Sequence, residues 1–181
     1  MKATGIVRRI DDLGRVVIPK EIRRTMRIRE GDPLEIFTNR EGEVIFKKYS
    51  PIGELGEFAG HYAETLSKTS GHPVCITDKD SVVAIYGAPK KEFMEKRISS
   101  ELEKIMDEKS TFIMKMGDTK KMPVMEGADK YVAGVVAPII SEGSAIGSVI
   151  MVKGEERDNM GEVETKLAQS AAGVLGKQME E

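Results

Sequence analysis

An apolar run near the N-terminus constrains how the first 50 residues can fold. Val16, Val17 and Ile18 are consecutive and are typical of a strand, in which successive side chains point to opposite faces. Both faces of that strand need cover. A 50-residue segment whose only aromatic residues are two phenylalanines and one tyrosine is too small to bury a core of its own. We therefore expect a second copy of the chain to complete this fold, as an obligate dimer.

The same segment predicts four short strands. Residues 4–10 and 15–18 have strand patterns, and Asp11–Gly14 separates them with turn chemistry, because glycine takes positive φ without steric cost. Residues 34–37 and 43–46 predict a closing hairpin around a turn that contains Asn and Gly.

A short helix is expected between the two pairs of strands. Pro19 suits the first position of a helix, where its missing N–H is no loss, and the helix is expected to run to Arg27. Four cations recur at i, i+3, i+4 and i+7 and share one face, whereas Ile22 and Met26 occupy another. These cations are Lys20, Arg23, Arg24 and Arg27.

The formal net charge of -2 conceals a strong asymmetry. Residues 1–50 carry 12 Lys and Arg against 8 Asp and Glu, net +4, whereas the remainder carries 16 against 22, net -6. Eight of the ten arginines lie in the first 40 residues. Arginine's planar fork binds a phosphate or a guanine edge through two hydrogen bonds, so the segment is expected to bind a polyanion.

Several classes of protein are excluded by composition. No apolar run approaches the roughly 18 residues of a membrane span, and no signal-peptide core is found, so we expect a cytoplasmic protein that does not contact membranes. One cysteine and two histidines predict neither a disulfide nor a zinc site. Cys75 lies in an apolar strand, and His61 and His72 have no evident triad partner. No catalytic residue, metal or cofactor is predicted, and we expect a non-enzyme.

Residues 2–49 closely resemble the N-terminal DNA-binding domain of the AbrB transition-state regulators, most clearly over 2–24. The resemblance implies a swapped-hairpin fold, in which two chains interlock their strands into one barrel-like dimer that presents arginines to double-stranded DNA. It also implies which cations contact DNA. These match Arg8, Arg15, Arg23 and Arg24, with Arg9 and Lys2 as flanking contacts.

A second domain is expected after a linker over 51–55, where Pro51 ends the strand pattern. Residues 56–181 predict an α+β order with an antiparallel sheet and the helices gathered on one side. The expected helices cover about 55–70, 90–108 and 159–180, and the strands 73–77, 82–87, 112–114, 131–140 and 145–152. The inner stripe of the last helix is predicted to be Val163, Leu167, Ala171, Val174 and Gln178.

Residues 52–181 resemble a GAF domain, a sensor-type α/β sandwich. The resemblance implies that the first and last helices pack against those of another chain, which with the N-terminal contact makes a homotetramer. The segment 115–130 is a candidate lid over a pocket for an unidentified small molecule, and Met116, Met122 and Met125 could line it or fill an ordinary core. The Asn-Lys-Phe-Asp-Glu run of cyclic-nucleotide-binding GAF domains does not occur.

The chain as a whole resembles the stage V sporulation protein T family. This implies a homo-oligomeric transcription regulator that activates and represses late sporulation genes in the forespore. One alternative is an autoregulating antitoxin, although antitoxins with this N-terminal domain usually carry a short tail and about 130 residues of patterned sequence follow here. The other alternative is a small-molecule sensor whose DNA binding is secondary.

Overall fold

The chain folds into two compact units. A computed structural model describes residues 5–115, 117–118, 121–154 and 160–180. We call Met1–Tyr49 the head and Ser50–Glu181 the body. The body includes residues 51–55, which the sequence predicts as a linker: they contain helix α2, and Ile52 is fully buried in the body's core. No described helix is both long and apolar enough to cross a membrane.

The head contains one helix and one hairpin. Helix α1 spans Lys20–Met26, and strands β1 (Leu34–Thr38) and β2 (Val44–Lys48) form the expected antiparallel hairpin. Its turn is stabilised by Asn39, whose side-chain oxygen accepts hydrogen bonds from the backbone N–H groups of Glu41 and Glu43, both at 3.0 Å.

The two strands predicted before α1 do not form within the single chain. Residues 5–10 and 15–18, the described part of these two predictions, form no strand. A strand needs a hydrogen-bonded neighbour, and β1 and β2 pair only with each other. The turn between them does form. Gly14 has φ +75° and donates its N–H to the carbonyl of Asp11, and the N–H of Asp11 bonds to the carbonyl of Arg15.

The described part of the head, residues 5–49, has almost no buried side chains. Pro19 is the only buried residue within 5–49, and Val7 is 91% exposed. Ile10, Leu13 and Val17 are also about 70% exposed. These apolar side chains therefore lie at the surface of the single chain and are not part of a hydrophobic core.

The body is built around one antiparallel sheet. Its described strands have the order β4-β3-β8-β7-β5, and β6 pairs with β7 beyond that path. The strands are β3 (Val74–Asp78), β4 (Val82–Tyr86), β5 (Phe112–Ile113), β6 (Pro123–Met125), β7 (Ala128–Ser141) and β8 (Ser144–Lys153). The helices are α2 (Pro51–Glu54), α3 (Gly56–Ser70), α4 (Lys90–Phe93), α5 (Ser100–Glu108) and α6 (Glu162–Gln178).

Helices cover both faces of this sheet, and the expectation that they gather on one side is wrong. On one face Val74, Ile76 and Met151 pack with α2, α3 and α6, and on the other Cys75 and Ile150 pack with α4 and α5. Central strands that are buried on both faces read as continuous apolar runs, as β3, β7 and β8 do.

The charged helix predicted over 90–108 is two short helices. Between them the chain extends across the end of the sheet, where Ile98 bridges to Met125. Helix α5 then begins at a new cap, because the hydroxyl of Ser99 accepts a hydrogen bond from the N–H of Leu102 at 3.2 Å.

The predicted inner stripe of the last helix is wrong at three of its five positions. Val163 is 66% exposed, Val174 is 40% exposed and Gln178 is exposed, whereas Ala171 is buried and Leu167 is half-buried against the core. The buried face consists of small residues together with one leucine. Its members are Thr165, Ala168, Ala171, Ala172, Leu175 and Gly176. Alanine, glycine and threonine add little to the apolar periodicity of a helix. The periodicity of α6 is therefore set by its bulkier valines, which do not mark its buried face.

Candidate DNA-binding surface

The turn before α1 places Arg15 beside a carboxylate. Asp11 Oδ1 accepts hydrogen bonds from the N–H groups of Leu13 at 3.0 Å and Arg15 at 2.8 Å. Asp11 Oδ2 accepts a third from Nε of the Arg15 side chain, also at 2.8 Å. The backbone N–H of Arg15 and then its guanidinium hold the pKa of Asp11 below its ordinary value. The Arg15 side chain nevertheless remains 69% exposed.

Helix α1 presents two further arginines near its C-terminal end. Arg23 and Arg24 lie in its last turn, where cations interact favourably with the helix dipole. The helix ends at Arg27, which adopts φ +50°, and the N–H of Ile28 bonds back to the carbonyl of Arg23 at 2.8 Å. Lys48 Nζ donates to the carbonyl of Arg27 at 2.9 Å. The end of α1 that carries these arginines is thus tied to β2.

The structure places the expected DNA-contacting residues at three positions of the head. Arg8 and Arg9 lie in the segment before the turn, Arg15 directly follows the turn, and Arg23 and Arg24 are neighbours on α1. All five side chains are exposed. Lys2 lies outside the described residues.

Two residues that position this surface have no such role in the sequence pattern. Asp11 is expected there only as a turn residue, and Lys48 only as part of the hairpin region. An Asp four residues before an Arg is a detectable signal for the first contact. The Lys48 contact joins residues 21 positions apart, and no local pattern announces it.

The described residues of the segment 115–130 do not form an apolar pocket lid. Met122 and Met125 are buried in the core on the α4 and α5 side of the sheet, and Met125 ends strand β6. Met116 lies outside the described residues. A groove of about 480 Å³ does lie at this segment, but its lining is largely charged. The lining residues include Asp118, Lys121, Asp129, Lys130 and Lys153.

The described residues offer little to catalysis or metal binding. They contain no group of three or more His, Cys, Asp or Glu side chains that could hold a metal ion. Cys75 is completely buried, and that burial raises the pKa of its thiol. A thiol held in its protonated form inside the core is a poor nucleophile.

Comparisons with known proteins match each unit separately. Residues 54–180 match the family profile described as stage V sporulation protein T C-terminal, transcription factor. Residues 7–53 match the profile described as antidote-toxin recognition MazE, bacterial antitoxin.

The full chain also has a full-length relative. It is 53% identical over 182 residues to stage V sporulation protein T of Bacillus subtilis (strain 168), with all of both chains covered. This chain belongs to the stage V sporulation protein T family. Its head is 61% identical over 51 residues to the transition state regulatory protein AbrB of the same organism, covering 28% of this chain and 52% of AbrB. The AbrB resemblance of the head is thereby confirmed.

Solved structures confirm the GAF-like fold of this chain's body. The crystal structure of the GAF domain/HD domain protein from Geobacter sulfurreducens has a TM-score of 0.52 at 13% identity, covering 74% of this chain and 99% of that one. A methyl-accepting chemotaxis protein, residues 122 to 287, has a TM-score of 0.55 at 16% identity, covering 71% and 90%. At these identities the likeness concerns the fold alone.

Proposed function

We propose that this protein is a homo-oligomeric, DNA-binding transcription regulator that activates and represses late sporulation genes in the cytoplasm of the forespore. The observation that carries the proposal is the 53% identity, over the full length of both chains, with stage V sporulation protein T. A protein that keeps both domains of a regulator, in the same order, is expected to keep its way of acting as well. It acts by binding DNA and carries out no catalysis.

The DNA-binding surface consists of the exposed arginines of the head. Arg15, Arg23 and Arg24 form its centre, and Arg8, Arg9 and Lys2 flank them. Exposure and residue type support this assignment, since all five arginines face solvent and guanidinium groups bind both phosphates and guanine edges. The net charge of +4 on residues 1–50 becomes +8 in a dimer, which suits a polyanionic partner.

The head acts as a dimer in which the segments around the Asp11–Gly14 turn pair with those of a second copy. The support is physical. Val7, Ile10 and Val17 lie at the surface of the single chain, and the segment that contains them has no strand neighbour. Interlocking two copies would satisfy the backbone groups and bury these side chains together.

The body supplies a second contact between copies, which makes the assembly a tetramer. The outer face of α6 supports it, because Val163 and Val174 lie on that face about three turns apart, with the half-buried Leu167 at its edge against the core. Val163 and Val174 are exposed, and Phe58 of α3 is 37% exposed. Apolar stripes on exposed helices are typical of surfaces that pack against another helix.

Two other functions have partial support. The match of residues 7–53 to the MazE profile favours an antitoxin, but the body has its own two-sided core rather than a tail that would fold on a toxin. The charged groove beside Lys121 and Lys153 would suit a sensor for a small anion. The MazE match and the groove each concern one part of the chain, whereas the similarity to the sporulation regulator covers its full length.

The test compares single arginine substitutions in the full-length protein. Arg15→Ala and Arg24→Ala are each expected to weaken binding to promoter fragments enriched by genome-wide mapping, by about 10- to 100-fold. Arg40→Ala is the matched control, because Arg40 is an exposed head arginine in the β1–β2 turn and lies outside the proposed surface. Equal affinities for all three variants, or no enrichment of promoter DNA by the intact protein, would refute the proposal.

A further inference from the structure

The two carboxylate oxygens of Asp11 bind different groups: Oδ1 binds the backbone of the turn and Oδ2 binds a side chain. Oδ1 accepts from the backbone N–H groups of Leu13 and Arg15, which is enough to hold the turn. Oδ2 instead binds the side chain of Arg15 at Nε. The second contact adds nothing that the turn requires, so the structure gives Asp11 a role toward the guanidinium itself.

That contact constrains how Arg15 can meet DNA. A guanidinium has five N–H donors, one on Nε and four on the two terminal nitrogens. Binding Nε to Asp11 leaves the terminal pair, which is the edge that bonds bidentately to O6 and N7 of guanine. A side chain that is already oriented loses less freedom when it binds, and it meets a mismatched base in the wrong geometry.

The same carboxylate carries a cost in overall affinity. It stays negatively charged at neutral pH, since the Arg15 N–H and guanidinium hold the pKa of Asp11 below its ordinary value. A negative charge beside the DNA-binding surface repels phosphates, which are the main source of sequence-independent attraction. An acidic residue at this position therefore weakens binding to DNA of any sequence. Its presence is advantageous only if it improves discrimination between sequences.

We propose that Asp11 is a specificity-determining positioning residue, which orients Arg15 for bidentate base recognition and lowers binding to DNA of unrelated sequence. The inference rests on the proposed function, and in particular on contact between Arg15 and DNA. It assigns the recognition of bases to the pair of residues rather than to the arginine alone.

Asp11→Asn separates the contacts of this side chain with the turn backbone from its contact with the Arg15 guanidinium. The amide oxygen of Asn can still accept from both backbone N–H groups, and Asn suits such turns as well as Asp does. Its NH₂ group replaces Oδ2, so the acceptor for Nε of Arg15 is lost together with the charge. Asp12→Asn is the matched control, because it removes the same charge from the adjacent exposed position of the same turn.

The measurement is affinity of the full-length protein for two duplexes of equal length at one salt concentration. One is the promoter fragment most enriched in genome-wide mapping, and the other has random sequence. We expect Asp12→Asn to strengthen both affinities by the same factor. Asp11→Asn is expected to strengthen binding to random DNA and to lower the promoter-to-random ratio by about 10-fold. An unchanged ratio in Asp11→Asn would overturn the positioning role.

Arg15 variants show whether Asp11 acts through Arg15. Arg15→Lys keeps the charge and leaves the turn intact but lacks the planar fork, so it should lower the ratio to the level of Asp11→Asn. Adding Asp11→Asn to Arg15→Lys should change the ratio no further. A further fall in the double variant would overturn the inference. If Asp11→Asn unfolds, Arg15→Lys alone still tests the inference, because a promoter-to-random ratio that Arg15→Lys leaves unchanged would also overturn it.

The outcomes also separate the inference from the function beneath it. If Arg15→Ala weakens promoter binding and the Asp11→Asn ratio stays at the wild-type value, the DNA-binding function stands and the role of Asp11 fails. If Arg15→Ala leaves promoter binding unchanged, the proposed DNA-binding surface fails at Arg15, and the role of Asp11 fails with it.

Discussion

Gly176 of α6 lies against the backbone carbonyl oxygen of Ile140 in β7, so closely that a Cβ on Gly176 would overlap that oxygen. The contact explains why the buried face of α6 is made of small residues. A helix can approach a sheet this closely only where no side chain intervenes. The last helix therefore owes its orientation to glycine and alanine rather than to its valines.

Gly176→Ala is expected to destabilise the body by about 1–3 kcal/mol, because the added methyl group must displace backbone rather than a flexible side chain. Gly173→Ala is the matched control, since a Cβ at Gly173 meets nothing within 4 Å. That change should stabilise the body by about 0.5–1 kcal/mol through helix propensity. Denaturant unfolding of both variants measures the difference, and equal shifts would contradict the close packing.

Glu164 is expected to stabilise the start of α6 in a pH-dependent way. Its Oε2 accepts the N–H of Gly161 at 2.7 Å, and its Oε1 lies 3.9 Å from Nε2 of His72. The Gly161 N–H is the largest cause that lowers the pKa of Glu164 from 4.5. Because the folded-state pKa is depressed, the stabilisation is fully present above the unfolded value and is lost as pH falls through the folded value.

Glu164→Gln should therefore cost about 0.5–1 kcal/mol near pH 7, and the difference from wild type should shrink on acidification below the ordinary carboxyl pKa. Glu162→Gln is the control: Glu162 lies in the same first turn but pairs on the surface with Lys166 at 2.7 Å. Urea unfolding at neutral and acid pH distinguishes the two. A Glu164→Gln penalty that does not change with pH would argue against the ionised cap.

The outer face of α6 should control the number of chains in the assembly. Val174→Glu places a charge on the apolar stripe and is expected to reduce a four-chain assembly to two chains, leaving the head dimer intact. Gln169→Glu adds the same charge at the other exposed edge of α6, where Gln169 bonds to Thr111 at 3.1 Å, and should leave the assembly unchanged. Mass measurement in solution decides, and a tetramer that survives Val174→Glu would exclude this face.

Promoter binding should fall steeply with salt. Each neutralised phosphate releases counterions, so a dimer that makes six or more phosphate contacts should lose about 1,000-fold in affinity between 50 and 200 mM salt. An arginine that contacts only phosphate should reduce that dependence when it is replaced by alanine. Fluorescence anisotropy over a salt series measures both effects. An affinity that stays flat over this range would contradict an arginine-based surface.

Local signals in the sequence were sufficient for much of this fold. The β1–β2 hairpin follows from two short apolar runs on either side of a turn that contains Asn39 and Gly42. The turn after Asp11 follows from Gly14, which adopts a positive φ. The long apolar runs of β7 and β8 are found where they were expected. The part of the cationic face that lies within α1, Lys20, Arg23 and Arg24, follows from spacing alone, because helical geometry brings residues three and four apart together. Arg27 lies just beyond the helix, where its φ is positive.

Contacts between distant residues decided the rest. The split between α4 and α5 depends on Ile98 meeting Met125, and the buried face of α6 depends on Gly176 meeting Ile140. Neither partner lies within the local window in which periodicity is read.

The cationic and apolar residues of the head, and the inability of so short a segment to bury its own core, follow from the order of the amino acids alone. The folded structure was needed to show that Lys48 ties the end of α1 to β2 and that the valines of α6 face outward. The physical reason is that hydrophobic and turn patterns specify local conformation, whereas the orientation of a side chain depends on the atoms that folding brings within bonding distance of it.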